Sequence, residues 1–478
     1  MWTSMTISRI VEGELHGSET ATFRGCVIDS RKAQNGEIFI AIQGENTDGH
    51  RFISRAFEAG AAIALAQTDR LEAVGFPDVP PDKALIVVPD SLQALQELAK
   101  AWRQEIGSFV VGITGSCGKT TTKDMAAAVL AKKFRVHKNL ENQNNEIGMP
   151  MTILNAPEDT EIMVLEMGMR QLGQIEALCE ICCPSIGVIT NIGTTHLEFL
   201  GSQENIAQAK WELINSLPTE GIAVLNADDQ FSMIQATGAS VRKVLYGINE
   251  HYAHADILGT HICSMGPLST RFEAIAGSER TEVTLPLPGE HHVLDALAAL
   301  AVGILKGISL EEGAKALADF TLSKMRLEIL HGVHRSTILN DVYNANPDSM
   351  KASLKVLAER GGARTVAILG EMYELGDESV AGHRSAGRAA AELGINALVT
   401  AGKMAEDIAQ GAVDAGFPKT AIRVCCDCRE AAECAKEILA DMGDGAWVLV
   451  KGSRGMHMEK VSEALTMSAI QEPFDTRQ

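Results

Sequence analysis

No stretch of this chain has the ~18 consecutive apolar residues that a membrane-spanning helix needs. The opening MWTSMTISRIVEGE also lacks the sustained apolar segment of an export signal. The expectation is a soluble, cytoplasmic protein without membrane insertion. Positive charge is scarce as well: 42 Lys and Arg stand against 62 Asp and Glu, a formal charge of -20. That sign is wrong for tracking a nucleic-acid backbone, so nucleic acid is not an expected partner. Any anionic ligand must instead be held by local cations and backbone amides, because the overall field repels it. Short-period repeats and low-complexity tracts are absent too. Ten cysteines are present, but they form no framework. Cys179-x-x-Cys182 and Cys425-x-x-Cys428 have knuckle spacing, yet they lie far apart and Cys183, Cys426 and Cys434 complete no pattern. They read as reduced thiols serving as small apolar side chains.

What is present is an ordinary globular composition, 46% hydrophobic and 22% charged, in 478 residues. At roughly 150 residues per domain that length suggests about three domains. From about residue 24 to 68 the text reads strand, strand, helix, strand: CVIDS, EIFIAI, HRFISRAFEAGA, AAIALA. The strand ALIVVP and a helix over residues 91–104 follow. A second unit opens with the strand FVVGITG and turns at Gly115 into a helix over residues 119–133. IMVLEMG, SIGVITNIG and GIAVLNADD are apolar strands that each end in polar residues, as in a mostly parallel sheet with ligands at its carboxyl edge. Residues 241–288 alternate and suggest a small antiparallel appendage. A third strand-helix series, TILND, RTVAILG, NALVTAG and AWVLVKGS, begins near Met325 and suggests another open α/β sheet. The expected fold is therefore α/β in three domains, 1–106, 107–324 and 325–478.

GITGSCGKTTTK, residues 112–123, resembles a phosphate loop but departs from G-x-x-x-x-G-K-[ST], since position 113 is Ile. The tighter Gly115-Ser116-Cys117-Gly118-Lys119-Thr120 remains. Glycines allow the backbone to approach phosphate oxygens, the helix start supplies oriented N–H groups, Lys119 adds charge and Thr120 can ligate magnesium. Glu166 ends one apolar strand and His196 follows another, so both fall on the loop's side of a parallel sheet. Each alone reads as a solvated loop residue; with Thr120 they make a credible magnesium shell, although imidazole is an uncommon magnesium ligand. By composition alone, Lys210 is a surface lysine. His291-His292 and His331-x-x-His334 likewise carry no ligand signal by themselves.

Taken together, TGSCGKTTTK, EMGM, NIGTTHLEF, AKWELI, LPGEHHVLDALAAL and Met325-Arg326 resemble the Mur ligase family of ATP-dependent amide-forming enzymes. Within it, CVIDSRK with FIAIQGENTDGH, NQNNEIGMP, DVYNANPDSM, LGEMYELG with the following His383, and LVKGSRGMHME are similar to the member that joins D-alanyl-D-alanine to a UDP-N-acetylmuramoyl tripeptide. The resemblance covers about residues 24–460. It implies a small UDP-sugar-binding first domain, a central ATP-binding domain and a Rossmann-like C-terminal domain for the amine substrate, in a monomer. It further implies ATP, two magnesium ions and an acyl-phosphate intermediate.

By the same resemblance, Gly115, Ser116, Cys117, Gly118, Lys119, Thr120 and Thr121 bind the ATP phosphates. Thr120, Glu166 and His196 hold metal, and Lys210 corresponds to a lysine that takes up carbon dioxide as a carbamate and becomes an oxygen ligand. Arg326 steadies the γ-phosphate; Asp341 meets the ribose; Tyr343, Asn344 and Asn346 complete the nucleotide side. Lys119, Lys210, His196 and Arg326 are the implied catalytic set. Asp29, Ser30, Arg31 and Thr47 meet the UDP-sugar end, with Asn144 and Asn145 on its approach to the phosphates. The sequence departs from the family's G-x-H-N-x-x-N around the adenine: His292 and Asp295 replace asparagines, and Asp295 keeps an acceptor but loses amide donors. Glu371 stands where the family often has Asp. A sister activity, addition of a single amino acid to a muramoyl peptide, and a nucleotide-driven ATPase module are the alternatives.

Overall fold

The computed structural model describes residues 2–34, 36–44, 47–140, 143–248, 255–265, 269–320, 324–362 and 364–466. Three sheets organise them, with strands drawn from residues 14–88, 109–285 and 328–451. Among the described residues no helix is long and apolar enough to cross a membrane.

The first sheet runs Glu14–Gly17, Ala84–Val88, Ile63–Gln67, Ile38–Ile40, Cys26–Val27, parallel except for its first pair. Ile38–Ile40 and Ala84–Val88 are buried along their whole length, which is why they read as unbroken apolar runs. Helix Ser91–Ile106 starts where the Asp90 carboxylate accepts from Leu92 and Gln93 N–H, and ends at Gly107 in the left-handed region. Its buried face, Ala94, Leu95, Leu98, Ala99 and Trp102, has helical spacing. Trp102 packs edge-on against Trp2 and Phe23, and its indole N–H donates to Ala156 O at 3.1 Å in the next unit. Asn155 grips the Cys26 backbone at both N–H and C=O. One apolar cluster consequently runs from Trp2 through Met149 and Leu178 to Trp211, so the first two units share a core.

The central sheet orders its nine strands Glu279–Leu285, Thr270–Ala276, Ile257–Ser264, Arg242–Gly247, Ile222–Asn226, Ile186–Ile189, Phe109–Thr114, Ile162–Glu166, Val136–Lys138. The described strands between residues 242 and 285 are continuous with this sheet and do not form a separate appendage. Arg242–Gly247 pairs in parallel with strands on both sides, and only the first two pairings in that order are antiparallel. Phe272, Ala274, Val283 and Leu285 alternate inward and join the cluster that covers helix Glu290–Leu305. Phe109–Thr114 lies between Ile186–Ile189 and Ile162–Glu166, so the chain leaves it first to one side and then to the other. Such a switch point opens a crevice at the strand's carboxyl end, which is where Gly115 begins its loop.

The third sheet orders Glu328–His331, Thr337–Asp341, Trp447–Lys451, Thr365–Gly370, Ala397–Ala401, Ile422–Cys425, parallel after its first pair. Its two faces carry separate apolar clusters, both confined to residues beyond 324. All ten cysteines are free thiols; Cys26, Cys179, Cys182 and Cys425 are buried as their apolar reading anticipates, whereas Cys183 and Cys426 are exposed and do not serve as core side chains.

Candidate active site

Gly115 holds φ +154° and Gly118 φ +79°. A Cβ on Gly115 would meet the Thr190 hydroxyl, and one on Gly118 the Asp295 carboxylate, so glycine is required at both places. The loop is braced from the next strand end. Asn191 Oδ1 accepts from Cys117 N–H at 2.9 Å, the Thr190 hydroxyl donates to Cys117 O at 2.5 Å, and Gly193 N–H donates to Ser116 Oγ at 2.8 Å. Helix Lys119–Leu130 follows at once and turns its free amides towards the loop. Lys119 Nζ folds back to donate to Gly115 O at 2.7 Å and Ser116 O at 3.3 Å. Burial lowers its pKa, partly opposed by the Glu166 charge.

Glu166 is buried at the end of its strand with both carboxylate oxygens engaged. The Thr120 hydroxyl donates to Oε2 at 2.7 Å and Asn144 Nδ2 donates to Oε1 at 2.8 Å. Arg326, from the third unit, donates Nη2–H to the Thr120 hydroxyl at 2.8 Å while its guanidinium lies over the Tyr343 ring, 4.0 Å from the centroid. Hydroxyl, carboxylate and cation thus meet within one hydrogen-bonded group contributed by two units.

Lys210 is not a surface lysine: on helix Gln203–Asn215 it is only 1% exposed, and it lines the same crevice. Burial, reinforced by the nearby Lys119 charge, pushes its pKa well below the usual lysine range. His196, with φ +69°, donates Nδ1–H to Glu374 Oε2 at 2.6 Å, and Arg170 pairs with the other Glu374 oxygen at 3.2 Å. Glu374 itself sits at φ +63°, and Met325 and Leu327 flank Arg326 at +66° and +47°. Strained non-glycine backbone thus gathers where the third unit meets the second.

Asp341 is buried with its oxygens taken by Leu327 N–H (3.2 Å), the Ser353 hydroxyl (2.6 Å) and Lys451 Nζ (2.5 Å). Lys451 also donates to Asn344 O at 3.0 Å. Asn346 caps helix Pro347–Gly361 and reaches across to Thr195 Oγ1 (2.8 Å) and Cys117 Sγ (3.2 Å). Asp295 accepts from the Thr122 hydroxyl at 3.0 Å, and burial raises its pKa to about 7. His292 donates Nδ1–H to Pro288 O at 2.7 Å, and burial lowers its pKa to about 4.

These groups line one cavity of about 1790 Å³. It gathers Gly115–Thr121, Asn144, Asn145, Glu166, His196, Lys210, Asp295, Arg326, Asp341, Tyr343, Asn344 and Asn346. The structure does not bring Asp29, Ser30, Arg31 or Thr47 into its lining. Asp29 instead caps the turn Ser30–Lys32 and forms a two-point pair with Arg31 (2.9 and 2.8 Å), which lowers its pKa to about 2. His291 and His292, unremarkable as sequence, do line it. Residue-by-residue reading also passes over Asn139, Arg170, Glu374 and Lys451; only the ELG and KGSRG segments signal two of them.

Thr120 and Glu166 offer hard oxygen donors beside helix amides and cations, a donor set that suits magnesium next to phosphates. The description "Mur ligase family, catalytic domain" matches residues 22–103, "Mur ligase middle domain" 113–303 and "Mur ligase, glutamate ligase domain" 325–454. This chain belongs to the Mur ligase family. Like other Mur ligases it is an ATP-dependent ligase. Two relatives, each named UDP-N-acetylmuramoyl-tripeptide--D-alanyl-D-alanine ligase, come from Bacillus subtilis (strain 168) and Escherichia coli (strain K12). The first is 38% identical over 98% of this chain and 99% of its own. The second is 35% identical over 97% and 98%. A crystal structure of MurF from Acinetobacter baumannii shares the fold with a TM-score of 0.84 at 30% identity, covering 97% of this chain and 98% of that one. MurF from Thermotoga maritima in complex with ADP gives 0.77 at 28% identity, covering 92% and 96%.

Proposed function

We propose that this Mur ligase joins D-alanyl-D-alanine to a UDP-N-acetylmuramoyl tripeptide in the cytoplasm. The observation that carries the reading is Arg326 on Thr120 on Glu166, a phosphate-handling group closed by two units in the cavity that the buried Lys210 also lines. The names of the 38% and 35% identical relatives supply the substrates. A carboxylate oxygen of the tripeptide attacks the γ-phosphorus of ATP, giving an acyl phosphate and ADP. The dipeptide amine then attacks the acyl carbon, and the tetrahedral intermediate expels phosphate to leave the amide.

Bringing a carboxylate against a phosphate costs roughly 4 kcal/mol per close pair of like unit charges at an effective dielectric near 20. Local cations must offset that, since the chain's net charge is -20. The loop amides from Gly115 to Thr121 cradle the phosphates, Lys119 exchanges Gly115 O for phosphate oxygens, and Arg326 steadies the γ-phosphate. Thr120 and Glu166 would hold magnesium, with His196 beside them. When bound, that ion neutralises phosphate charge. Asn144 fixes the Glu166 carboxylate, and with Asn145 it faces the incoming muramoyl peptide; Asp29, Ser30, Arg31 and Thr47 receive the UDP-sugar end. Asp295, Asp341, Tyr343, Asn344 and Asn346 take the nucleoside side.

Lys210 is deprotonated readily in its buried place, so its neutral amine can add carbon dioxide, release a proton and present a carbamate oxygen as a further ligand. Replacing it by Ala is expected to abolish turnover while leaving ATP affinity near wild type; near-normal turnover would refute the carbamate role. The overall reading is tested by phosphate release with ATP, magnesium, UDP-muramoyl tripeptide and a panel of amines. Release should require D-alanyl-D-alanine. Stimulation by a single amino acid but not by the dipeptide would overturn it.

A further inference from the structure

Asn139 follows strand Val136–Lys138 and has no exposed surface. Its side chain serves as an artificial strand edge for Glu166: Oδ1 accepts Glu166 N–H at 2.9 Å, and Nδ2 donates to Glu166 C=O at 3.0 Å. The same Nδ2 donates to Gln143 O at 2.8 Å, one residue before Asn144, which holds Glu166 Oε1. The Asn139 carbonyl in turn accepts from Lys123 Nζ at 2.7 Å. Lys123 is buried on the helix that begins with Lys119 and Thr120, one turn beyond Thr120, whose hydroxyl holds Glu166 Oε2. Through its side-chain amide Asn139 ties the Gln143–Asn145 turn to the backbone of Glu166, and through its own carbonyl it reaches the phosphate-loop helix.

We infer that Asn139 is a positioning residue for the metal–nucleotide site, acting through Glu166 and Asn144 without touching substrate. The inference rests on the reading of Thr120 and Glu166 as the pair that holds the ion. A carboxylate aimed by two donors on its oxygens still rotates about its own backbone unless that backbone is pinned, and Asn139 supplies the pin. Asparagine suits the place because it alone among side chains of its size presents a donor and an acceptor side by side, matching the N–H and C=O of one residue. Aspartate keeps the acceptor but turns an oxygen onto the carbonyls of Glu166 and Gln143.

The test is Asn139→Asp, with manganese in place of magnesium. Free manganese is measured by electron paramagnetic resonance as the protein is titrated in the presence of ADP, and circular dichroism melts report folding. Loss of an outer partner of a metal ligand typically weakens metal affinity roughly 10- to 100-fold, and that increase in the manganese dissociation constant is expected here. A folded variant with wild-type manganese affinity overturns the inference. If Asn139→Asp fails to fold, Lys123→Met, which removes the donor to the Asn139 carbonyl together with the 3.5 Å ion pair to Asp124, must weaken manganese binding in the same direction, and an unchanged constant overturns the inference. The readout does not depend on the acyl acceptor. Failure of dipeptide-dependent phosphate release with the manganese shift intact therefore sinks only the substrate reading.

Discussion

Asp295 lies on helix Glu290–Leu305 with its carboxyl against Gly118 and Thr122, and burial lifts its pKa to about 7 against the weaker pulls of Thr122 and Arg326. A carboxyl whose folded pKa exceeds its unfolded value binds its proton more tightly when folded, so its contribution to stability is full at low pH and is lost as pH rises through about 7. His292 has the opposite sign. Lowered to about 4, it contributes above the ordinary histidine range and loses that contribution as pH falls. Asp295→Asn removes only the first. Between about pH 5 and pH 7 the wild type is expected to lose on the order of 3 kcal/mol relative to this variant. Urea unfolding at a series of pH values checks this, and parallel profiles would contradict it. The type of residue at 295 was legible in the sequence; its titration range was not. Lys210 shows the same limit more sharply, since composition makes it a surface lysine and only packing around helix Gln203–Asn215 buries it.

Between elements, close approach decides stability. Helices Ser379–Glu392 and Glu406–Asp414 cross where Gly387 faces the Ile408 carbonyl and Gly411 faces the Arg384 carbonyl. A methyl group at Gly387 has no room, because the obstacles are backbone atoms that cannot rotate aside. Gly387→Ala should destabilise the third unit by about 1–3 kcal/mol, as overpacked contacts do, and calorimetry should register a lower unfolding temperature for it. An unchanged transition would mean that the helices slide apart at little cost. Strands such as Ile38–Ile40 and Ala84–Val88 were readable because both faces are covered and the text is wholly apolar. Helix Ser4–Ile10, short and capped only by Thr3, carries too little periodicity to be recognised. The strands between residues 242 and 285 join the central sheet through the parallel pairing of Arg242–Gly247 with Ile222–Asn226 across helix Gln230–Ala236, which the local alternation does not encode.

At the scale of the whole molecule, the first and second units share an apolar core, while the third has cores of its own and meets the second through polar groups. Arg326 on Thr120, Asn346 on Thr195, and Glu374 on His196 and Arg170 form that junction. Polar junctions of this kind open and close more easily than a shared core, which suits a site that must admit three substrates and then exclude water. Glu374→Gln keeps the shape but removes the charge that Arg170 and His196 both meet. Turnover is expected to fall about tenfold, with a larger radius of gyration by X-ray scattering in the presence of nucleotide. Wild-type scattering and rate would show that Glu374 does not hold the units together.

The sequence by itself determined the α/β class, the three strand-helix series and the short phosphate loop, because backbone reach, periodicity and glycine placement are local properties. It also placed Thr120, Glu166 and Arg326 as candidates. Only the tertiary structure decided that those three touch, that Lys210 is buried, and that Asn139 and Glu374 hold Glu166 and His196 in place. Residues 46 and 206 positions apart in the chain meet only when two sheets bring their carboxyl edges to one crevice. Asp29, Ser30, Arg31 and Thr47 lie outside that crevice for the same reason, since their sheet packs beside it through the shared core.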